Sequence, residues 1–188
     1  METLEQSTRT KQTGAPHTAH NLDSLGLLST TQLEPIYRAG TAPADFHELD
    51  GHPRGRMLAV RKIEATRLGR SLRRLAAGRF FPWGGKSFSA SSNHTGAGIN
   101  RVHLAGRHQL FPFHTRRGPS RIDGEPALIL DYDLTDNPSL IRKIHDEIRE
   151  VSPGVFLGPA MWRAEAGAVL VLWFALDTHE QAVAIGTD

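Results

Sequence analysis

The stretch KSFSASSNHTGAGINRVHLAGRHQLFPFHTRRGPSRIDGEPALILDYDL, residues 86–134, decides the fold. Short runs of strand-forming residues, Lys86–Ser91, Ile99–Leu104, Gln109–His114 and Ala127–Tyr132, alternate in it with Gly, Pro, Asn and Asp, the residues that make turns. Working outward, Arg56–Arg61 precedes this block, and Val155–Trp162 and Ala168–Leu176 follow it, with the same texture. From Lys86 onward only one helical pattern interrupts these segments, so they suit a meander better than βαβ units. The expected fold is mainly β: an antiparallel barrel of about seven to eight strands with two or three packed helices.

Three helical patterns supply the rest. Ser29, Thr30 or Thr31 caps a short helix through Leu33, Ile36 and Tyr37 that stops at Gly40, a residue suited to a left-handed C-terminal position. Ile63, Leu68, Leu72 and Leu75 recur near helical spacing among Arg67, Arg70, Arg73 and Arg74, giving a basic amphipathic helix ended by Gly78, after which Arg79–Trp83 turns at Gly84-Gly85. The third is the interrupting helix: Asn137 caps it, Pro138 opens it, Ile141, Ile144, Ile148 and Val151 form its apolar stripe, and Ser152-Pro153-Gly154 ends it. Residues 1–21 read as a disordered tail, and 22–188 as a single barrel domain.

With 188 residues, 39% of them hydrophobic, the chain has material for one sizeable core. The lack of Cys removes disulfide scaffolds, thiolate metal sites, iron–sulfur clusters and Cys nucleophiles. No signal segment is visible. The longest apolar run, Gly167–Leu176, falls well short of the ~20 residues of a membrane helix. A cytoplasmic location follows. The formal charge of +2 conceals an asymmetry: residues 51–121 hold 15 of the 22 Lys and Arg against Glu64 alone, while the remainder is acidic. Either the two parts interleave on folding or the basic part faces an anion. Because 18 of the 22 are Arg, planar contacts to a carboxylate or phosphate are favoured.

The ten His show no HExxH or other standard ligand spacing, so no metal site is expected. A GxSxG elbow and a P-loop are also missing; Thr95-Gly96-Ala97-Gly98 lacks both the phosphate-loop Lys and the dinucleotide spacing. Two polar groupings remain. Lys86, Asn100, Arg101, His114, Arg116 and Arg117 lie in or at the ends of consecutive strands and converge on one barrel mouth if those strands are neighbours. Asp131 and Tyr132 end a strand just before the Asn137 helix. On that helix Glu147 borders the apolar stripe while Asp146 faces away, and Arg149 completes the group. A carboxylate bordering a core suits general-base work, or else fastens its helix to an Arg.

Phe111 and Phe113, Ser120 with Asp123-Gly124, Leu130–Tyr132, Asn137-Pro138, Asp146-Glu147 with Arg149, Pro153-Gly154 and Gly158, together with AGTAPADFHELDGHPRGRMLA and PWGGKSF, form a pattern. It resembles a large group of uncharacterised bacterial proteins, over about residues 25–177. The resemblance implies a lipocalin-like, calycin-type barrel with a lid or plug helix, and imports no reaction. In such a barrel Phe111, Phe113, Phe156, Met161, Trp162, Trp173 and Phe174 either line a pocket or fill the interior.

The expected function is small-molecule binding, with cofactor-free cyclisation, isomerisation or elimination of a hydrophobic, partly anionic metabolite in specialised metabolism. Asp131, Tyr132 and Glu147 are the candidates for proton transfer. Lys86, Asn100, Arg101, Phe111, Phe113, His114, Arg116, Arg149, Trp162 and Trp173 are the candidate ligand-binding residues. No cofactor is expected, with haem left open, as is a homodimer. The rival readings are a non-catalytic carrier of lipid, haem or pigment and, less favoured, nucleic-acid binding through 51–121.

Overall fold

The computed structural model describes residues 19–60, 83–102, 106 and 108–182. Eight strands form a closed antiparallel barrel in which each pairs with its sequence neighbours and the last with the first: β1 Pro53–Val60, β2 Trp83–Ser92, β3 Thr95–Val102, β4 His108–Pro119, β5 Pro126–Asp131, β6 Ile144–Ser152, β7 Val155–Ala164 and β8 Gly167–Gln181. The mainly β barrel expected from the turn punctuation is therefore present. The basic helix expected around 63–75 lies outside the described residues, as does nearly all of the expected tail.

Two short helices precede the barrel, α1 Leu22–Gly26 and α2 Thr30–Ala39. Asn21 caps α1 by accepting from Ser24 N at 2.8 Å, and Gln32 reaches back from α2 to accept from Ser29 N at 3.0 Å. Gly40 ends α2 with φ −75°, so its expected left-handed role is wrong. A Cβ there would sit 2.7 Å from Glu150 O, and glycine lets the chain come close enough for Thr41 to bridge to Glu150 of β6.

The interrupting helix is the main correction. Residues 141–143 make one 3₁₀ turn, and 144–152 are strand β6. Ile144 and Ile148 fit a helical stripe, but they fit one face of a strand equally well. In the barrel Ile144, Asp146 and Ile148 face inward, while His145, Glu147 and Arg149 take the opposite face, buried as well. A strand covered on both faces shows no apolar–polar alternation, so the period-2 signal is lost. The expected turn at Gly84-Gly85 is also absent, since both residues lie inside β2.

The core has two layers. Inside the barrel, Phe88, Phe113, Leu128, Leu130, Ile148, Phe156 and Leu176 pack with Phe46 and Leu49 of a 3₁₀ turn. That turn sits beside the β2–β3 hairpin and closes one end of the lumen (Phe46 N to Asn93 O, 3.3 Å). Outside it, Leu25, Leu33 and Tyr37 of the helices cover Val155, Leu157, Trp173 and Ala175. Each such fully buried side chain contributes about 1.5–3 kcal/mol. One end of the lumen is thus packed solid, and the other is left to form a site.

Candidate active site

The open end holds a cavity of about 130 Å³, lined mainly by apolar side chains that include Trp83, Phe111, Ile144, Met161, Trp162 and Phe174. Two irregularities shape it. A register shift between Ala160 and Met161 against β8 lets Ala160, Met161, Val171 and Leu172 all border the space. A second shift, where Ile99 pairs with Pro112 but Asn100 with Leu110, leaves Phe111 bulged at φ 62°. That conformation costs a non-glycine residue about 1–2 kcal/mol. Asn100 holds it by donating from Nδ2 to Phe111 O at 3.1 Å. Half-exposed Leu140 stands at the rim.

The cavity has a polar wall where β2, β3, β5 and β6 bring Lys86, Asn100, Tyr132 and Asp146 together. Lys86 Nζ spends all three protons, on Asn100 Oδ1 (2.9 Å), Tyr132 Oη (2.5 Å) and Asp146 Oδ2 (2.8 Å). Tyr132 accepts from Asn100 Nδ2 (3.1 Å) and donates to Asp146 Oδ2 (3.0 Å), and Trp83 Nε1 donates to Asn100 Oδ1 (3.0 Å). All four residues are at least nine-tenths buried. One atom of the network is left over: Asp146 Oδ1 is buried without a hydrogen-bond partner. In a native interior such an atom calls for an explanation, and a ligand that brings its own donor supplies one.

The rings of Phe174, Phe113, Tyr132 and Trp83 surround Lys86 Nζ with centroids 4.9–5.5 Å away. Burial pushes the Lys86 amine below its ordinary range, and the Asp146 carboxylate works against that. Burial, joined by the Asp146 charge, holds the Tyr132 phenol well above its ordinary range. Tyr132 therefore stays a neutral phenol that relays a hydrogen bond.

Of the residues expected here, Lys86, Asn100, Phe111, Tyr132 and Trp162 do meet at the cavity, and Phe113 lies beneath it against Lys86. The others point elsewhere. Asp131, one residue out of phase with Tyr132, pairs with Arg163 outside the lumen at 2.7 Å. Glu147 is wholly buried on the outer face, where it accepts from Ser120 Oγ (2.6 Å) and Arg121 N (3.0 Å), with His145 Nε2 at 3.3 Å. Arg149 clamps Asp123 from beside Tyr37, and Trp173 packs on the Tyr37 ring at 5.5 Å. Arg101 donates to Pro53 O at 2.6 Å, and His114, Arg116 and Arg117 are exposed. Asp131 and Glu147 thus do not border the cavity, and Arg101, Arg116 and Arg117 do not converge on its mouth. The residue missed was Asp146, because a helical wheel turned it outward, whereas alternation from Ile144 turns it in.

Among the described residues no three His, Asp or Glu side chains are grouped to hold a metal ion, and no helix is long and apolar enough to cross a membrane. No family model matches the sequence, and no curated protein matches it either. Among solved structures, the chain is similar to a protein from Thermomonospora curvata at 18% identity, over 79% of this chain and 86% of that one, with a TM-score of 0.45.

Proposed function

We propose that this chain is a lipocalin-like barrel that takes one small, mainly apolar molecule into its lumen and catalyses a cofactor-free isomerisation, cyclisation or elimination, with Asp146 as the proton acceptor. The observation that carries this reading is the free Oδ1 of Asp146 at a cavity wall whose other polar atoms are satisfied. The size favours a single-ring ligand or a similar body, since ~150 Å³ of engineered apolar cavity in another protein holds benzene. An anionic part has weak support, because Lys86 is the cation at the cavity wall and Asp146 already neutralises it.

The arrangement gives each group a role. Lys86 and Tyr132 fix Oδ2 and so aim Oδ1, the position a general base needs before it can act. When Asp146 takes a proton from a carbon beside a carbonyl, the network keeps the Lys86 charge alone. That is the sign that stabilises the enolate left behind. Tyr132 hydrogen-bonds to both Lys86 and Asp146, beside their direct contact.

A small aryl ketone, phenylacetone, tests this. In heavy water the protein should exchange the α-hydrogens for deuterium faster than buffer does, as followed by NMR, and Asp146→Asn with an unchanged circular dichroism spectrum should lose that exchange. Binding without exchange would overturn the catalytic reading in favour of a carrier of lipid, haem or pigment.

A further inference from the structure

Lys86 has two properties that base catalysis by Asp146 does not use. Its amine lies at the wall of an apolar cavity, 2.8 Å from a carboxylate able to take its proton. It also sits inside a cage of four aromatic rings, and such a cage holds a diffuse cation as well as an ammonium. Lysines that act as nucleophiles are desolvated in this way, with a neighbour that accepts the proton.

We propose that Lys86 forms an imine with a small apolar aldehyde or ketone in the lumen. This rests on the lumen being the ligand site and names its substrate class. Lys86 first passes a proton to Asp146, leaving a neutral amine and a carboxylic acid. The nitrogen lone pair then forms a bond to the carbonyl carbon, and the carbonyl oxygen takes the proton back from Asp146. The nitrogen's second proton and this hydroxyl leave as water while the C=N bond forms. No oxidant or reductant is consumed. The protonated imine remains in the aromatic cage and draws electrons from the adjacent carbon, so Asp146, again a carboxylate, removes the α-proton to give an enamine. Burial, which lowers the proton affinity of the Lys86 amine, favours the first step. Tyr132 hydrogen-bonds to both Lys86 and Asp146 and so fixes the two against each other.

Benzaldehyde with cyanoborohydride tests the imine separately from the base, because benzaldehyde has no α-hydrogen. The chain has four lysines, Lys11, Lys62, Lys86 and Lys143, and peptide mapping of the intact folded protein should place the benzyl group on Lys86. Lys143 is the internal control: it is exposed, with its Nζ 6.0 Å from the centre of the Trp162 ring, and Lys143→Arg should leave the labelling unchanged. Benzyl alcohol, of similar shape but without the carbonyl, reports on the lumen itself through the melting temperature. If benzyl alcohol stabilises the protein while Lys86 stays unlabelled, the imine is overturned and the lumen site stands. If neither compound shifts the melting temperature and no label reaches Lys86, both fall.

Discussion

Strand β6 carries two buried polar clusters on its opposite faces, and they differ in one respect. On the outer face, Glu147 is met by Ser120, Arg121 N and His145, and Arg149 by Asp123, Pro126 O and Glu125 O. Neither Glu147 nor Arg149 has an unpartnered polar atom. On the inner face, Asp146 leaves one oxygen without a partner beside a cavity. A satisfied network fixes one structure, whereas an unsatisfied buried atom in an otherwise complete network calls for an explanation. The pleat of the strand alone sends these sequence neighbours to opposite faces.

That division predicts that the two faces fail differently. Arg149→Met should have the largest effect on stability, about 4 kcal/mol, because it removes the partner of Asp123 and the packing on Tyr37 and leaves backbone oxygens unmet. Urea denaturation reads the loss, and hydrogen–deuterium exchange of the probe ketone per folded molecule should not change. On the inner face, Asp146→Leu strands the Lys86 ammonium and should cost about 3 kcal/mol. Adding Lys86→Met should restore most of it, since apolar side chains can replace both charges. Strictly additive losses in that double-mutant cycle would show that the two do not act as a pair. Tyr37→Phe, which loses the hydroxyl's hydrogen bond to Ser120 at 3.2 Å, should cost about 1 kcal/mol, with no effect on ligand binding.

The smallest expected effect concerns acid. Hydrogen bonds from Arg149 hold the Asp123 carboxyl below its ordinary range, although partial burial opposes this. Its contribution to stability is present above the ordinary Asp value of about 3.9 and is lost as pH falls through the lower folded value. Asp123→Asn should therefore flatten the acid limb of the stability curve and leave the neutral-to-alkaline limb unaltered in slope.

Most of the barrel was legible because its turns are written in Gly, Pro, Asn and Asp, and α2 because Ser29–Thr31 precede Leu33, Ile36 and Tyr37 at helical spacing, the face it packs on the barrel. β6 was not, for two local reasons. Asn137-Pro138 mimics a helix start, yet Asn137 Nδ2 instead donates to Pro112 O and Tyr132 O, tying the segment to its neighbours. Pro153-Gly154 reads as a helix stop, yet it is a two-residue hairpin turn between paired Ser152 and Val155, with Gly154 at φ 68°. A Pro-Gly pair set between Ile144–Ser152 and Val155–Trp162 was the available signal for a further strand. The cost of the misreading was Asp146. Among the described residues, three basic side chains of 51–121 pair with acids of the other part: Arg54 with Glu180, Arg56 with Asp23 and, in the lumen, Lys86 with Asp146. Arg116 and Arg117 lie on the surface and Arg101 turns to Pro53 O, so none of these three meets the cavity.

The central claim is that Asp146, and neither of its two rivals, is the carboxylate that works on a ligand. Hydrogen–deuterium exchange of phenylacetone in three single variants, Asp146→Asn, Glu147→Gln and Asp131→Asn, compares the lumen with the outer face in one assay. Normalised to folded protein, exchange should vanish in Asp146→Asn and persist in the other two. Exchange that survives Asp146→Asn but disappears in Glu147→Gln would contradict the account.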